Sequence, residues 1–443
     1  MRPPAVQAAG PVGAQAMSQA VLRAPAPSPV SASRGVELGA ELDLVRAVQA
    51  AVAWQPAIGA AVAQVAQQGS GVEVARAGYM PAFQAGLNAG RQSVSATGPS
   101  ASLAASQMLY DFGKVGSQVN EAEAGVRRAQ AEVLLQIDTV ATQAALAVVE
   151  LSRYQALEKI ATEQVAALND VARVTDLRAQ LGASTKVDPV QARARVQAAQ
   201  VYGLQLQSQS RQWRARLISL VAGALPERVA PLPAARLGAA LATPATAQAW
   251  PAVLVAEAER QALLARLDGT RAARKPTVSL EASMSRYLSG QVNGRSGDHG
   301  LFVKLSSATF QGGAMAAQEQ AAAQAVLGAE ARVDAKRIEI EDKLKGLRER
   351  IDGLVALREP LLQRQRSITD TRGLYREQYL SLGTRSALDL LNAEQEIAQA
   401  AFDVAQNQHD LWSALVNYIE ASGQARDVYE INHNQVQGLE VLP

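Results

Sequence analysis

From Val326 onward an apolar side chain returns every seven residues, at Val333, Ile340, Leu347, Leu354, Leu361, Ile368, Tyr375 and Leu382, with Leu344 and Ile351 at the four-three offset of a second seam. A 3.5-residue period keeps one stripe facing a partner helix, whereas an ordinary 3.6-residue amphipathic helix drifts out of register. Residues 314–382 are therefore expected to be one coiled-coil helix, bent where Pro360 removes a backbone bond. The same register stands 200 residues earlier at Val126, Val133, Val140, Ala147 and Tyr154, and predicts a second long helix over 114–181. At 1.5 Å per residue, about 65 residues of helix span about 100 Å, more than a single globular domain holds. Shorter helices are predicted at 41–77, 187–222, 251–273 and 387–422.

Four stretches change from the helical period to strict alternation. Phe83, Ala85, Leu87 and Ala89 alternate with polar or small residues in 82–92, and Val278, Leu280, Ala282 and Met284 do so in 277–285. Leu301, Val303 and Leu305 alternate with Phe302, Lys304 and Ser306; the segment 101–112 is weaker, with Met108, Tyr110 and Phe112 on one expected face. Each run has roughly the 9–11 residues that a tilted strand needs to cross a bilayer. Their turns, "SVSATGPS" and "SGQVNGRSGDHG", are polar and glycine-rich. Four strands cannot close a barrel, and open edges are not tolerated in lipid. A membrane reading therefore requires several chains to share one barrel; soluble hairpins are the alternative. The flanking hundred-ångström helices favour the membrane.

The chain is duplicated. Pro56 and Pro251, Arg76-Ala77 and Arg271-Ala272, and Pro81 and Pro276 recur at a spacing of 195. "YDFGKVGSQ" (110–118) and "FQGGAMAAQ" (310–318) are 200 apart, and "LGASTKVDPV" (181–190) and "LGTRSALDLL" (382–391) are 201 apart. The expected organisation is an Ala/Pro/Ser/Gly-rich disordered arm (1–40), a first repeat (41–223), a Pro/Ala-rich connector (224–250), a second repeat (251–423) and a polar, irregular tail (424–443). Each repeat reads helix, two strands, very long helix, turn, return helix.

Composition narrows the chemistry. Lys+Arg (43) and Asp+Glu (41) nearly cancel, so the clustered basic face of a nucleic-acid binder is not expected. The absence of cysteine removes thiol catalysis, disulfides, zinc-thiolate sites and the cysteine of bacterial lipid anchors. No run of 20 consecutive apolar residues is present, and "MRPPAVQAAGPVG" does not read as an export signal. Aromatics at only 4 % suggest closely packed helices with many small side chains. His299, His409 and His433 are scattered, without an i, i+4 metal pair. Ser296, Asp298 and His299 are neighbours in a turn and read as a solvated loop rather than a triad. "FGKVGS" lacks phosphate-loop spacing, and there is no GxSxG. Neither an enzyme nor a cofactor is expected.

Three motifs, "ARAGYMPAF" (75–83), "MLYDFGKVGSQV" (108–119) and "YLSLGTRSALDLLNAEQEI" (379–397), make residues 40–423 resemble the TolC family of outer-membrane exit ducts. The resemblance implies a mixed α and membrane β fold in which three chains form one tube. Four strands per chain give a 12-stranded β-barrel in outer-membrane lipid, continuous with a coiled-coil α-barrel across the periplasm. Phe83, Leu87, Val278, Leu280, Met284, Leu301 and Val303 would lie in the membrane strands. Residues 224–250 and 424–443 would form an equatorial belt. The tips Leu181, Gly182, Ala183, Ser184, Leu382, Gly383 and Thr384 would face a periplasmic adaptor (membrane fusion protein) driven by an inner-membrane ABC transporter or proton-driven pump.

Residue by residue, Arg385 falls where the family has an arginine tied to a neighbouring chain. Asp188 falls on its aspartate partner and Asp389 on an aspartate ring at the constriction. Tyr379 lies one residue further from the glycine than the family's tethering tyrosine, and Asn392 replaces a second aspartate. Read from the residues alone, Thr185-x-x-Asp188 and Ser386-x-x-Asp389 fit the box that caps a helix start, with Pro189 suited to a first turn and Asp188 itself a possible cap. "QMLYDFGK" most resembles the members that serve type I protein secretion. The same fold also serves as the exit duct of tripartite drug or metal efflux pumps. A periplasmic adaptor and a soluble coiled-coil scaffold are the alternatives from other classes.

Overall fold

A computed structural model describes residues 40–89, 99–242, 250–288, 296–307, 311–382 and 384–431. The expected N-terminal arm up to residue 39, most of both hairpin turns, the end of the connector, Gly383, His433 and the tail beyond residue 431 lie outside the described residues.

The heptads become two very long helices, α3 (Lys114–Gln180, 67 residues) and α7 (Ala314–Glu377, 64 residues). Along α7 the seven-residue stripe from Val326 to Tyr375 is buried or half-buried while most of its neighbours are exposed. Pro360 stands inside α7 without ending it. The helix stops being α-helical at Glu377, five residues before the expected end, and continues as a π turn over Gln378–Leu382. The return helices α4 (Val187–Val221) and α8 (Ala387–Ala421) follow.

The predicted first helix, 41–77, is two helices, α1 (Leu44–Trp54) and α2 (Pro56–Arg76). Pro56 lacks an N–H and pushes Gln55 out of the helical region, to ψ 117°. Its counterpart in the second repeat, α6 (Pro251–Ala273), also starts on proline, after the buried Trp250. The connector carries a short helix, α5 (Ala234–Ala239), and Val229 bridges to Leu42. Residues 424–431 are more ordered than their polarity suggests. They form a helical turn, α9 (Ala425–Val428), and bury Tyr429 completely.

The strands are β1 (Ala82–Asn88), β2 (Ser100–Tyr110), β3 (Thr277–Tyr287) and β4 (Gly297–Ser306), antiparallel in the order β1-β2-β3-β4. Four helical rows stand in the same order. The outer row is α2 and α4, the next is α3, then α6 and α8, and last α7. Each strand thus continues a helix of its own row, and the chain is a single curtain with β1, α2 and α4 at one edge and β4 and α7 at the other.

Register decides which side chains share a face. Phe83 opposes Ala105, Leu103 opposes Met284, Leu280 opposes Val303, and Ala282 opposes Leu301. One face therefore collects Phe83, Leu87, Leu103, Val278, Leu280, Met284, Leu301 and Val303; the other is mostly Ser, Ala and Gly. The expectation for 101–112 is corrected here. Met108 follows Ser102, Ala104 and Ser106 on the small-residue face, and a bulge between Met108 and Tyr110 moves Tyr110 to the apolar face, opposite Val278. Phe112 leaves the strand with φ 60°, followed by Gly113 at φ 96°; Gly312 and Gly313 repeat the geometry at 58° and 86°. Asp111 closes the first junction by accepting the N–H groups of Gly113 (2.9 Å) and Val115 (2.6 Å). Asp298 and His299 are not in a loop, because β4 begins at Gly297; they point to opposite faces.

The curtain is packed through its middle and bare at its edges. α3 buries residues along its whole length, whereas α7 buries only Val326, Ala329, Val333 and Ile351 and leaves Leu327, Ile338, Val355 and Leu374 exposed. α3 also contains an apolar window long enough to cross a membrane, but 67 % of that window is buried against the other helices, as befits a core helix.

One buried charge sits in this core. Asp138 of α3 is 2 % exposed, and both its carboxylate oxygens lack a hydrogen bond; the Arg426 Nε lies 3.4 Å away. Burial pushes its pKa up from 3.8 to about 7, against the pull of Arg426 and with the push of Glu420 and Asp427. A carboxyl whose folded-state pKa is raised stabilises the fold below its unfolded pKa, and that contribution is lost as pH rises towards 7. At 1.36 kcal/mol per unit the loss is of the order of 4 kcal/mol. Thermal melts of detergent-solubilised protein between pH 4 and 7 should show stability falling more steeply with pH in the native chain than in Asp138→Asn. Parallel curves would remove Asp138 as the cause.

Candidate functional site

The described parts of the two tip turns lie together at the end of the curtain remote from the strands, where Arg178 reaches Tyr379. In the first, Leu181 closes α3, Gly182 takes φ 72°, and the Ala183 N–H bonds back to the Arg178 carbonyl at 2.8 Å. This is the glycine C-cap geometry. Leu181 projects into solvent at 74 % exposure, and Ala183 is also exposed while Ser184 is half-buried. In the second, the chain leaves the π turn, and the Thr384 N–H returns to the Gln378 carbonyl at 3.3 Å. The Leu382 side chain and Gly383 lie outside the described residues.

The two predicted capping boxes come out differently. Ser386 and Asp389 form the full reciprocal box. The Asp389 N–H donates to Ser386 Oγ at 3.2 Å, the Ser386 N–H donates to Asp389 Oδ2 at 3.2 Å, and the Ser386 hydroxyl adds a bond of 2.9 Å. The Ser386 hydroxyl and then its N–H hold the Asp389 carboxyl below its ordinary pKa, and Arg385 helps. In the first tip no box forms. The helix opens at Val187 after Lys186, in helical conformation and without a side-chain cap. The Thr185 hydroxyl donates instead to Asp188 Oδ1 at 3.0 Å. This start puts Pro189 third in the helix, where its missing N–H is one of those left unpaired in any case. Asp188 is thus a first-turn acid rather than the cap.

Tyr379 lies in the π turn, 3 % exposed, with its hydroxyl buried and unpartnered. Burial raises the phenol pKa, Arg178 opposes the rise and Asp188 adds to it. What holds this turn is a residue the sequence reading did not single out. Arg178, from α3, donates to the Tyr379 carbonyl at 2.9 Å and lays its guanidinium 4.7 Å from the Tyr379 ring centre. A signal was present, since Arg178 and Tyr379 are separated by the repeat spacing of 201 and are equivalent positions in the two halves. Arg195 of α4 also donates to Gln395 Oε1 of α8 at 2.6 Å, a second contact between the hairpins. Below the turn, Arg372 pairs across the second hairpin with the buried Glu394 at 3.3 Å.

Arg385 and Asp188 are not joined within the chain. Arg385 donates from Nε to Gln378 Oε1 at 3.0 Å, stands 4.0 Å from Asp389 and covers the Tyr375 ring at 4.5 Å. It therefore remains inside its own hairpin. The geometry gathers Asp188, Tyr379, Arg385 and Asp389 at one end of the molecule, with Arg178 as the contact between hairpins. His409 is elsewhere, buried and bonded to Ala405 and Ser152 (2.7 and 3.3 Å), a packing role between α8 and α3.

Residues 47–223 and 244–424 match the family described as outer membrane efflux protein. The chain is 22 % identical over 370 residues to the outer membrane efflux protein BepC of Brucella suis biovar 1 (strain 1330), covering 81 % of this chain and 80 % of that one. Its fold is similar to that of a membrane protein from Pseudomonas aeruginosa, with a TM-score of 0.76, 19 % identity and coverage of 88 % and 92 %. It is also similar to the CmeC outer membrane channel of Campylobacter jejuni, with a TM-score of 0.73, 15 % identity and 86 % of each chain covered.

Because only the second tip is fully boxed, Ser386→Ala should lower the local opening free energy of the first turn of α8 by about 1 kcal/mol. Thr185→Ala should change the first turn of α4 by less than about half of that. Amide hydrogen exchange of the two turns measures both, and equal losses would remove the distinction between the tips.

Proposed function

We propose, starting from the fact that the chain belongs to the outer membrane efflux protein family, that three copies close into one tube and provide the exit duct of a type I protein secretion system. Members of this family are channels, not enzymes, and the chain is an outer-membrane efflux channel whose helices extend into the periplasm. Family channels work with periplasmic adaptors and inner-membrane pumps.

The observation that carries the tube is the coincidence of its bare edges. Among the described residues β1 and β4 each present an unpaired strand edge, and the helical rows beneath them, α2 with α4 and α7, hold most of the large apolar side chains that the long helices leave exposed. Joining the β4 and α7 edge of one chain to the β1, α2 and α4 edge of the next satisfies the strand backbone and covers those side chains in one operation. Three chains would give twelve strands, with Phe83, Leu87, Val278, Leu280, Met284, Leu301 and Val303 turned to lipid.

At the far end the six tips close the bore. Three Asp389 carboxylates converge there, Arg385 reaches Asp188 of a neighbouring copy, and Arg178 ties the two hairpins within each copy. Opening then means breaking charge-assisted bonds. The exposed tip residues Leu181, Ala183 and Thr384, with Gly182 and the half-buried Ser184, are the surface offered to an adaptor. For the cargo, the "QMLYDFGK" junction supports an unfolded polypeptide delivered by an ABC transporter. Drug or metal efflux is the second reading, favoured by the name of the Brucella relative.

In planar bilayers, Arg385→Ala, Asp188→Ala and Arg178→Ala should each raise the closed-state conductance; unchanged conductance in all three rejects the gate. Native mass measurement should give a trimer from the outer-membrane fraction. A deletion strain that loses a secreted polypeptide while keeping its tolerance to toxic compounds supports secretion, and the reverse pattern supports efflux.

A further inference from the structure

The second face of the sheet is built mostly of small residues, with polar side chains among them and Tyr287 at the turn end of β3. Ser102, Ala104 and Ser106 line it on β2 and Ser279, Ser283 and Ser285 on β3, with Met108 half-buried beside the bulge. Phe302 of β4 breaks the pattern, being on this face and 60 % exposed. It buries too little to serve the fold, and a serine in its place would leave the ladder intact. Two hundred residues earlier, the spacing that relates the strand-to-helix junctions, stands Ser102. The other half thus carries a serine at the equivalent position.

Its setting is specific. Phe302 pairs directly with Glu281, and the Lys304 ammonium lies 3.0 Å from that carboxylate. The ring is folded back over Gly300, where a Cβ would overlap it. Glycine thus leaves room for the edge of the ring above the strand, beside an ion pair that carries no net charge.

Resting on the reading of the sheet as a third of a membrane barrel, whose apolar face meets lipid, we infer that Phe302 supplies three exposed apolar contacts inside a bore lined mostly by small and polar side chains, with Met108 and Tyr287 half-buried at its two ends. Aromatic or aliphatic parts of an exported molecule touch these rings as they leave. The neutralised Glu281–Lys304 pair makes the contact select for apolar surface rather than for charge.

Since the chain has no cysteine, Phe302→Cys and Val303→Cys each create one thiol per chain, three in the full trimer. In planar bilayers, a charged, water-soluble thiosulfonate should reduce the current through Phe302→Cys pores in up to three steps and leave Val303→Cys pores unchanged. Tetraphenylphosphonium should block native pores with a residence time roughly threefold or more longer than in Phe302→Ser pores, the scale of one exposed aromatic pair. Block by tetramethylammonium, which offers no aryl surface, should differ less between the two. Reaction at 303 but not 302, or equal tetraphenylphosphonium residence in the two pores, overturns the inference while leaving the duct in place. Native protein that forms no pores removes the duct reading and the inference with it.

Discussion

A backbone amide in hydrocarbon has no water to bond, so every N–H and C=O that enters a membrane must find its partner in protein. This chain carries four strands, and two of them, β1 and β4, end with one side unpaired. No side-chain choice in Ala82–Asn88 or Gly297–Ser306 remedies that. The constraint reaches down the molecule, because each strand stands on a helical row and the rows keep the strand order. The edge that lacks a backbone partner above is the edge that lacks packing below. The near-naked α7, with four buried residues against the extensively buried α3, is what half of an interface looks like in a single chain.

The long helices meet this demand with a narrow seam and small side chains. Ala161 of α3 and Ala398 of α8 pack with Leu157, Leu206 and Phe402, while Ala192 and Ala199 of α4 pack near the tips with Leu168, Val171 and Tyr379. Small residues let helices approach closely, and a seven-residue register keeps the same stripe in contact over about 100 Å. The transition between sheet and curtain is made by residues in left-handed conformation, glycine at three of the four positions and Phe112 at the fourth. Asp111 holds that fourth joint by accepting two backbone amides, which its counterpart Gln311 is not required to do beside two glycines.

Helix and strand positions were legible because their causes are local. A heptad needs only its own residues, and alternation needs only the next residue but one. The helix start at Pro251 and the glycine stop at Gly182 are likewise written where they act. The misses have distant causes. Tyr110 changes face relative to Met108 because β2 bulges against β3, a partner about 170 residues away. α7 gives way to a π turn at Gln378 where Arg178 grips Tyr379 from another helix. The break at Gln55–Pro56 was local and readable, because the residue before a proline avoids the helical region. At the site, Ser386 and Asp389 were read correctly as a box. Thr185 and Asp188 show the same letters but not the same geometry, with Pro189 third in their helix. Arg178 stayed hidden because its meaning depends on the other half of the repeat.

The unequal tips bear on counting. A ring of three such chains has six turns at its inner end, alike in their Leu-Gly spelling but alternating in stiffness, a boxed start after one and an uncapped start after the next. A partner that grips only the shared turn finds six equivalent handholds. A partner that needs the firm ones finds three, and the remaining three are free to yield. Stoichiometry at that end of the tube is thus decided by whether a serine or a threonine-and-proline start stands beneath the grip.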